Sequence, residues 1–418
     1  MPRLPKGQAP DFYLATNSDV FGWGGGVSLT SGLAAGLETF GYRCVILGID
    51  EGAGPAATPR LSAGRLNLRS GFPRRLWRVR SWCLGRALAG TLGELPAPQV
   101  AFVGVHPYWV LAARRAWPEV PLVFCFACLL TNCLPFTWPR RRPPGFWGWV
   151  DYAGIRRSER LALRQADLIV APTNQSVEEI AAFEPACRPR LRQCYYGVHA
   201  PAVSDAAREQ QRAELGLSAD RFVLAVIGRC DRNKAFDWAV RVLPRVDPRV
   251  HLLVVGGGPE DGAMRCMAST LGVSDRVTFA GAQAEMSAWY AAADCVLSTS
   301  HYDTFPNVLL EALSAGKPVV VPRHDPPRTY SGVAELVERF GCGRLYWRHD
   351  LASLARCLDE LSRDRAAAAR MGQAGRRLAE QHFSWRMLAV RVLELLGREV
   401  PQPESVGPTA CCATTSAL

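Results

Sequence analysis

No apolar run in this 418-residue sequence approaches the ~20 residues that a helix needs to cross a bilayer. Runs such as 100–105 and 121–130 are short and read as core segments. The first eleven residues carry basic groups without an apolar stretch, so no secretory signal is expected there. A disulfide framework is also missing. The fourteen cysteines are scattered, and Cys44, Cys125 and Cys295 sit inside strand-like apolar runs. That is the usage of a reduced compartment, and a cytoplasmic location is expected. Cys125 and Cys128 have the spacing of half a metal or redox motif, with only Cys133 nearby; core packing is the competing reading. Cys411 and Cys412 do not fit a prenylation box. With 48% hydrophobic and 21% charged residues, disorder over most of the length is excluded.

Acid is scarce in the first half. Residues 1–200 carry 23 Lys and Arg against 13 Asp and Glu, whereas 201–418 are nearly balanced at 26 against 25. The stretch 61–90 contains no acid at all, but seven arginines beside Phe72, Trp77 and Trp82. A second stretch, 136–157, mixes Arg140, Arg141, Arg142, Arg156 and Arg157 with Phe136, Trp138, Phe146, Trp147 and Trp149. Three readings compete. Rings at headgroup depth with guanidinium on phosphate suit an anionic membrane surface. Stacking plus backbone charge suits single-stranded nucleic acid, but no nucleic-acid module is recognisable, so no such partner is expected. The plain reading is a solvated basic face with Trp in the core.

What the chain does have is alternation. Strand-like runs at 11–15, 43–49, 100–105, 121–127 and 167–171 are interleaved with helical patterns at 26–40 and 155–166. A second series, at 222–227, 250–255, 276–280, 294–298 and 318–322, alternates with helical stretches at 236–246, 260–271, 284–292 and 306–315. Near-continuous Val/Leu/Ile runs indicate strands buried on both faces. The expected fold is α/β, with two Rossmann-like, doubly wound domains facing across a cleft. The first spans 1–200 and the second 201–383. A last amphipathic helix covers 384–398, and 399–418 is expected to be a disordered tail.

Three segments carry chemistry. Gly22, Gly24, Gly25 and Gly26 follow the first strand and open a helix, a place where backbone N–H groups meet anions. The dinucleotide fingerprint Gly-x-Gly-x-x-Gly fails, because Val27 or Leu29 stands where the last glycine belongs. Asp50 after the second strand imitates a ribose-binding acid, so a dinucleotide and a plain turn stay as competing readings. Arg229 and Lys234, after the strand 222–227, place a fork and a point charge where a diphosphate sits. Asp303 is followed eight residues later by Glu311, which falls among Leu309, Leu310, Ala312 and Leu313. A carboxylate inside an apolar helix needs a partner, and Pro306 fits that helix's first turn. His106 follows the strand 100–105. Duller readings apply to His199 and His251 as structural groups, and for His301, two residues before Asp303, a site-edge role competes with a structural one.

Together, Arg229-x4-Lys234, the block from Asp303 to Glu311, Gly256-Gly257-Gly258-Pro259 and residues 291–300 resemble glycosyltransferase family 4, retaining nucleotide-sugar enzymes of GT-B fold. The glycine loop, His106, 159–172 and 195–199 agree in order, and the likeness covers about 10–398. The resemblance implies that Arg229 and Lys234 hold the donor diphosphate and that Glu311 binds the ribose. It implies that Asp303 with the backbone of Thr304, Phe305 and Pro306 faces the donor sugar. Gly25 and Gly26 would border the diphosphate from the other domain, and His106 would sit near the transferred sugar. The last helix would cross back onto the first domain. The family usually has Glu where Asp303 stands, which leaves the sugar contact one methylene short. No Asp-x-Asp pair occurs in the chain, which disfavours a metal-held diphosphate; no metal and no cofactor is called for. The expected activity is metal-independent hexosyl transfer to an acceptor that is lipid-linked or membrane-associated, with 61–90 and 136–157 on an anionic surface and the protein peripheral at the inner face of the membrane. The alternatives are a soluble transferase acting on a small molecule or polysaccharide, and a non-catalytic nucleotide-sugar-binding protein.

Overall fold

The computed structural model describes residues 9–16, 25–49, 65–68, 81–126, 128–137 and 146–400. The strand-helix alternation is realised as two parallel sheets. The first contains β1 (Phe12–Ala15), β2 (Cys44–Ile49), β3 (Arg65–Leu68), β4 (Ala101–Gly104), β5 (Leu122–Cys125), β6 (Leu168–Ala171) and β7 (Leu191–Gln193). Their spatial order is β3-β2-β1-β4-β5-β6-β7. The second is built from β8 (Phe222–Ile227), β9 (Val250–Val255), β10 (Val277–Gly281), β11 (Cys295–Leu297), β13 (Val319–Pro322) and β15 (Gly343–Tyr346), in the order β10-β9-β8-β11-β13-β15. Two short strands, β12 (Tyr302–Asp303) and β14 (Tyr330–Ser331), pair with each other apart from both sheets. In each large sheet the chain reverses direction of growth beside its first strand, leaving a crevice at the carboxyl ends.

The first lobe carries α1 (Gly25–Glu38), α2 (Ser81–Gly93), α3 (Pro107–Ala116), α4 (Leu130–Thr137), α5 (Phe146–Gln165) and α6 (Asn174–Phe183). The second carries α7 (Asp205–Glu214), α8 (Asp237–Val242), α9 (Asp261–Thr270), α10 (Ser287–Ala292), α11 (Asn307–Ser314), α12 (Ala334–Phe340), α13 (Leu351–Arg363) and α14 (Arg365–His382), and α15 (Trp385–Leu395) follows.

Strands are covered on both sides, and the side chains sort with period two. Phe12 and Leu14 enter one apolar cluster while Tyr13 and Ala15 enter another on the opposite face. Val223, Ala225 and Ile227 share the first cluster, and Phe222, Leu224 and Val226 form the outer core of the second lobe. One core therefore runs from beneath the first sheet to beneath the second.

Helix α15 packs on α1. The contact is close because α1 has glycines where it meets Trp385. A Cβ on Gly32 would lie 2.2 Å from the indole ring, and one on Gly36 would lie 2.4 Å from the Trp385 carbonyl oxygen. Gly197, before the second lobe, meets the same ring at 2.3 Å.

Several elements differ from the sequence expectation. Strands β3, β7 and β15, and the short β12 and β14, fall outside the strand-like runs of the sequence. The helices α13 and α14 are separated at Asp364, whose carboxylate accepts from Ala367 N at 2.8 Å and starts α14. Pro306 is the residue before α11 rather than part of its first turn. Much of the two basic stretches, Gly22–Gly24, Asp50 and the tail from 401 lie outside the described residues.

Candidate functional site

A cavity of about 500 Å³ lies between the lobes. From the first lobe it is lined by the start of α1 (Gly26, Ser28, Leu29), by Cys128 and Cys133, and by Tyr196. The second lobe contributes the loop after β8, with Gly228, Asn233 and Lys234, and the segment from Tyr302 to Val308. Trp385 closes one side.

The β8 loop is shaped by close backbone packing. A Cβ on Gly256 would lie 1.8 Å from the Gly228 carbonyl oxygen, and one on Gly258 would lie 2.4 Å from that of Cys230. Gly256 also has φ of +135°, a conformation that favours glycine. The glycine run after β9 thus lets two loops lie against each other at the strand ends.

Lys234 extends from this loop, and its ammonium meets the Asp303 carboxylate at 2.6 Å. Ser300 Oγ donates to the same Asp303 oxygen at 3.0 Å. Asp231 Oδ1 accepts from Lys234 N at 3.0 Å, and Thr299 Oγ1 donates to the Lys234 carbonyl at 2.7 Å. Asn233 grips Tyr302 on both sides of its backbone. Its Nδ2 donates to Tyr302 O at 3.0 Å and its Oδ1 accepts from Tyr302 N at 3.1 Å.

Six of the ten sequence-predicted site residues line this cavity: Gly26, Lys234, Asp303, Thr304, Phe305 and Pro306. Four do not. Gly25 is the first residue of α1, next to the lining. Arg229 is 74% exposed and folded onto its own loop, with Nη2 2.7 Å from Asp231. Glu311 accepts from the Tyr290 hydroxyl at 2.7 Å, which supplies the partner that a carboxylate in an apolar helix needs. Burial raises its pKa, partly offset by that hydrogen bond and by His199. His106 precedes α3, its ring 4.0 Å from that of Tyr108, and its buried Nδ1 has no hydrogen-bond partner among the described residues. Burial pushes its pKa down to about 3, so the imidazole is neutral near pH 7.

Sequence reasoning missed Asn233, Tyr302 and Trp385, and it noted Cys128 and Cys133 only through the Cys-x-x-Cys spacing, not as residues of this cavity. The adjacency of Asn233 to Lys234 and of Tyr302 to Asp303 is the signal that could have drawn attention to the first two. Cys125, which the spacing grouped with Cys128, is buried in β5. His301 Nε2 lies 3.0 Å from Arg348 Nη2, and because arginine only donates, that nitrogen accepts. His251 pairs with Thr278 Oγ1 at 2.8 Å, and burial lowers its pKa to about 4.

Two first-lobe carboxylates lie in α5 and α6, Glu159 buried and Glu179 half-buried. Glu159 accepts from Leu130 N at 2.5 Å and from the Thr131 hydroxyl; Glu179 accepts from Asn132 Nδ2 at 2.7 Å and from Tyr302 OH at 3.0 Å. Burial pushes both up to about 7. Among the described residues, no helix is long and apolar enough to cross a membrane.

Two parallel Rossmann-like sheets with a ligand-sized crevice at their facing carboxyl ends define a GT-B architecture. The chain belongs to the family 4 type of glycosyltransferases: residues 24–197 match the family described as "Glycosyl transferase 4-like domain", and 207–378 match "Glycosyl transferases group 1". Among curated proteins it is similar to D-inositol 3-phosphate glycosyltransferase of Mycobacteroides abscessus, 30% identical over 252 residues, 58% of this chain. That match spans 54% of the relative, so the chain covers about half the length of such relatives. Among solved structures, sucrose-phosphate synthase from Thermosynechococcus elongatus aligns over 93% of this chain and 98% of its own, with TM-score 0.75 and 19% identity. Anabaena HepE, solved with UDP-glucose, aligns over 92% and 99% with TM-score 0.70 and 20% identity.

Proposed function

We propose that this protein transfers a hexosyl group from a nucleoside-diphosphate sugar to an acceptor held by residues 1–200, with retention of anomeric configuration and without a metal. One observation carries the reading. Lys234 and the N-terminal turn of α1 line the same cavity as Asp303 and the 304–306 backbone. Positive charge from the second lobe and the N–H groups at the start of α1 in the first thus converge beside a set of hydroxyl-binding groups.

In this reading the diphosphate lies between Lys234 and the first residues of α1. The bond from C1 of the sugar to the phosphate oxygen breaks, and its electron pair leaves with the phosphate. Fixed positive groups stabilise that charge as it forms. The acceptor hydroxyl attacks C1 from the side the phosphate leaves, and its proton passes to the departing phosphate oxygen. Arg229 turns from Asp231 to the diphosphate when donor is present. Asp303 exchanges part of its contact with Lys234 for donor sugar hydroxyls. Glu311 binds the ribose, and neutral His106 accepts or donates one hydrogen bond near the transferred sugar.

A panel of nucleotide sugars tested by thermal shift identifies the donor, and NMR of the product anomer decides the stereochemistry. An inverted anomer rejects retention. The arginine- and aromatic-rich stretches 61–90 and 136–157 support an acceptor at an anionic membrane surface. Co-sedimentation with phosphatidylserine vesicles at low salt is expected, and protein that stays in the supernatant removes that part.

A further inference from the structure

Tyr302 joins the two lobes beside the cavity. Tyr302 is 2% exposed. Its hydroxyl accepts from Leu129 N at 2.9 Å and donates to Glu179 Oε1 at 3.0 Å, and both partners belong to the first lobe. Its backbone is held in the second lobe by the Asn233 side-chain amide. Lys234 follows Asn233, and Asp303 follows Tyr302. The spacing of the ammonium and the carboxylate, 2.6 Å apart, is therefore set by a clamp whose far end lies in the other lobe. A second link, Glu335 accepting from Asn174 Nδ2 at 2.8 Å and Gln175 N at 3.1 Å, ties the same helix α6 to α12.

We propose that Tyr302 and Glu179 form a positioning joint that couples closure of the two lobes to donor binding at Lys234 and Asp303. The inference rests on the donor reading above and adds residues that act through others. Separating the lobes breaks both hydrogen bonds of the Tyr302 hydroxyl, leaving a backbone N–H and a carboxylate of the first lobe to find water. Closure restores them and fixes the β12 strand that carries Asp303. A ligand that binds the closed form better is then bound more weakly when the joint is cut, in proportion to the lost closed population. Glu179 does not line the cavity, so its effect on affinity has to travel through Tyr302.

The test is calorimetry on the full chain with UDP-glucose, UDP-N-acetylglucosamine and GDP-mannose, carrying forward the tightest. Tyr302→Phe keeps the ring and its 4.9 Å packing on Tyr330 while removing the hydroxyl. It is expected to raise the donor Kd about tenfold at unchanged stoichiometry, the cost of a buried hydrogen-bond pair left unmade. Glu179→Ala is expected to do the same. Glu179→Gln keeps an accepting oxygen for Tyr302 and Asn132 and stays within about threefold of the wild type. The double variant, Tyr302→Phe with Glu179→Ala, is no weaker than either single one, because one joint is cut twice. Small-angle scattering should show donor-induced compaction shifted to about tenfold higher donor in Tyr302→Phe. Unchanged affinity in Glu179→Ala, multiplied losses in the double variant, or a loss of stoichiometry in place of affinity each overturns the joint while a binding wild type leaves the donor reading intact. A wild type that binds no nucleotide sugar overturns the donor reading itself.

Discussion

Replacing Gly36 by Ala sets two ordinary effects against each other. In the interior of a helix, Ala is favoured over Gly by roughly 0.5–1 kcal/mol, because less backbone entropy is lost on folding. On that ground alone the variant should be more stable. Packing argues the other way. The new methyl would stand 2.4 Å from the Trp385 carbonyl oxygen and 2.8 Å from its carbon. These are backbone atoms of α15, so no side-chain rotation relieves the contact and the helix has to shift. Overpacking of this kind costs about 1–3 kcal/mol, which exceeds the propensity gain. The expected net effect is a loss of about 1–2 kcal/mol. An internal control exists in α2, where a Cβ on exposed Gly90 meets nothing within 4 Å among the described residues. Gly90→Ala should raise the thermal midpoint and Gly36→Ala should lower it. A chain of two lobes need not unfold in one step, so the sign of each shift is the measured quantity. Equal stabilisation by both substitutions would refute the close seating of α15 on α1.

Two further outcomes follow from buried charge. Glu159 is 2% exposed, and its folded pKa of about 7 stands above the usual 4.5 because of burial. A raised folded value means that its contribution is fully present below about pH 4.5 and is lost as pH rises through 7. Between pH 5 and 8 the wild type should lose up to about 3 kcal/mol more stability than Glu159→Gln, read from urea unfolding at each pH; parallel pH curves would contradict this. Asp294 accepts from Arg208 at 2.6 Å, Arg212 at 2.7 Å and Val223 N at 2.8 Å. Burial raises its pKa, but the two guanidinium groups and the backbone N–H outweigh that and hold it below the usual range. Asp294→Ala leaves Arg212, 5% exposed, without its anion and should cost about 3–5 kcal/mol, seen as a large drop in thermal midpoint.

The alternating series of strands could be read because each long strand is a near-continuous Val/Leu/Ile run, buried on two faces. The strands that escaped have other chemistry. In β3 the sequence Arg-Leu-Asn-Leu sits in an arginine-rich stretch, and β7 is three residues with Arg192 exposed. Strands β12 and β14 are two residues each, too short for any period. At the candidate site, the family resemblance assigns Lys234, after β8, and Asp303, after β11, to one donor, but their direct contact at 2.6 Å is not legible in the sequence. The contribution of Cys128, Cys133 and Trp385 depends on how the lobes meet, which no local pattern encodes. Glu311 shows the limit of reasoning from burial alone. A buried acid requires a partner, and here Tyr290 supplies one, so the anomaly in the sequence has an answer inside the protein.

Titration calorimetry of the tightest nucleotide sugar against wild type and Lys234→Ala bears most directly on whether a diphosphate donor occupies the interlobe cavity. One equivalent should bind the wild type, and loss of the ammonium should weaken binding by about 10- to 100-fold, the worth of a charge-assisted contact. Equal affinity in the two proteins would mean that the ligand lies elsewhere.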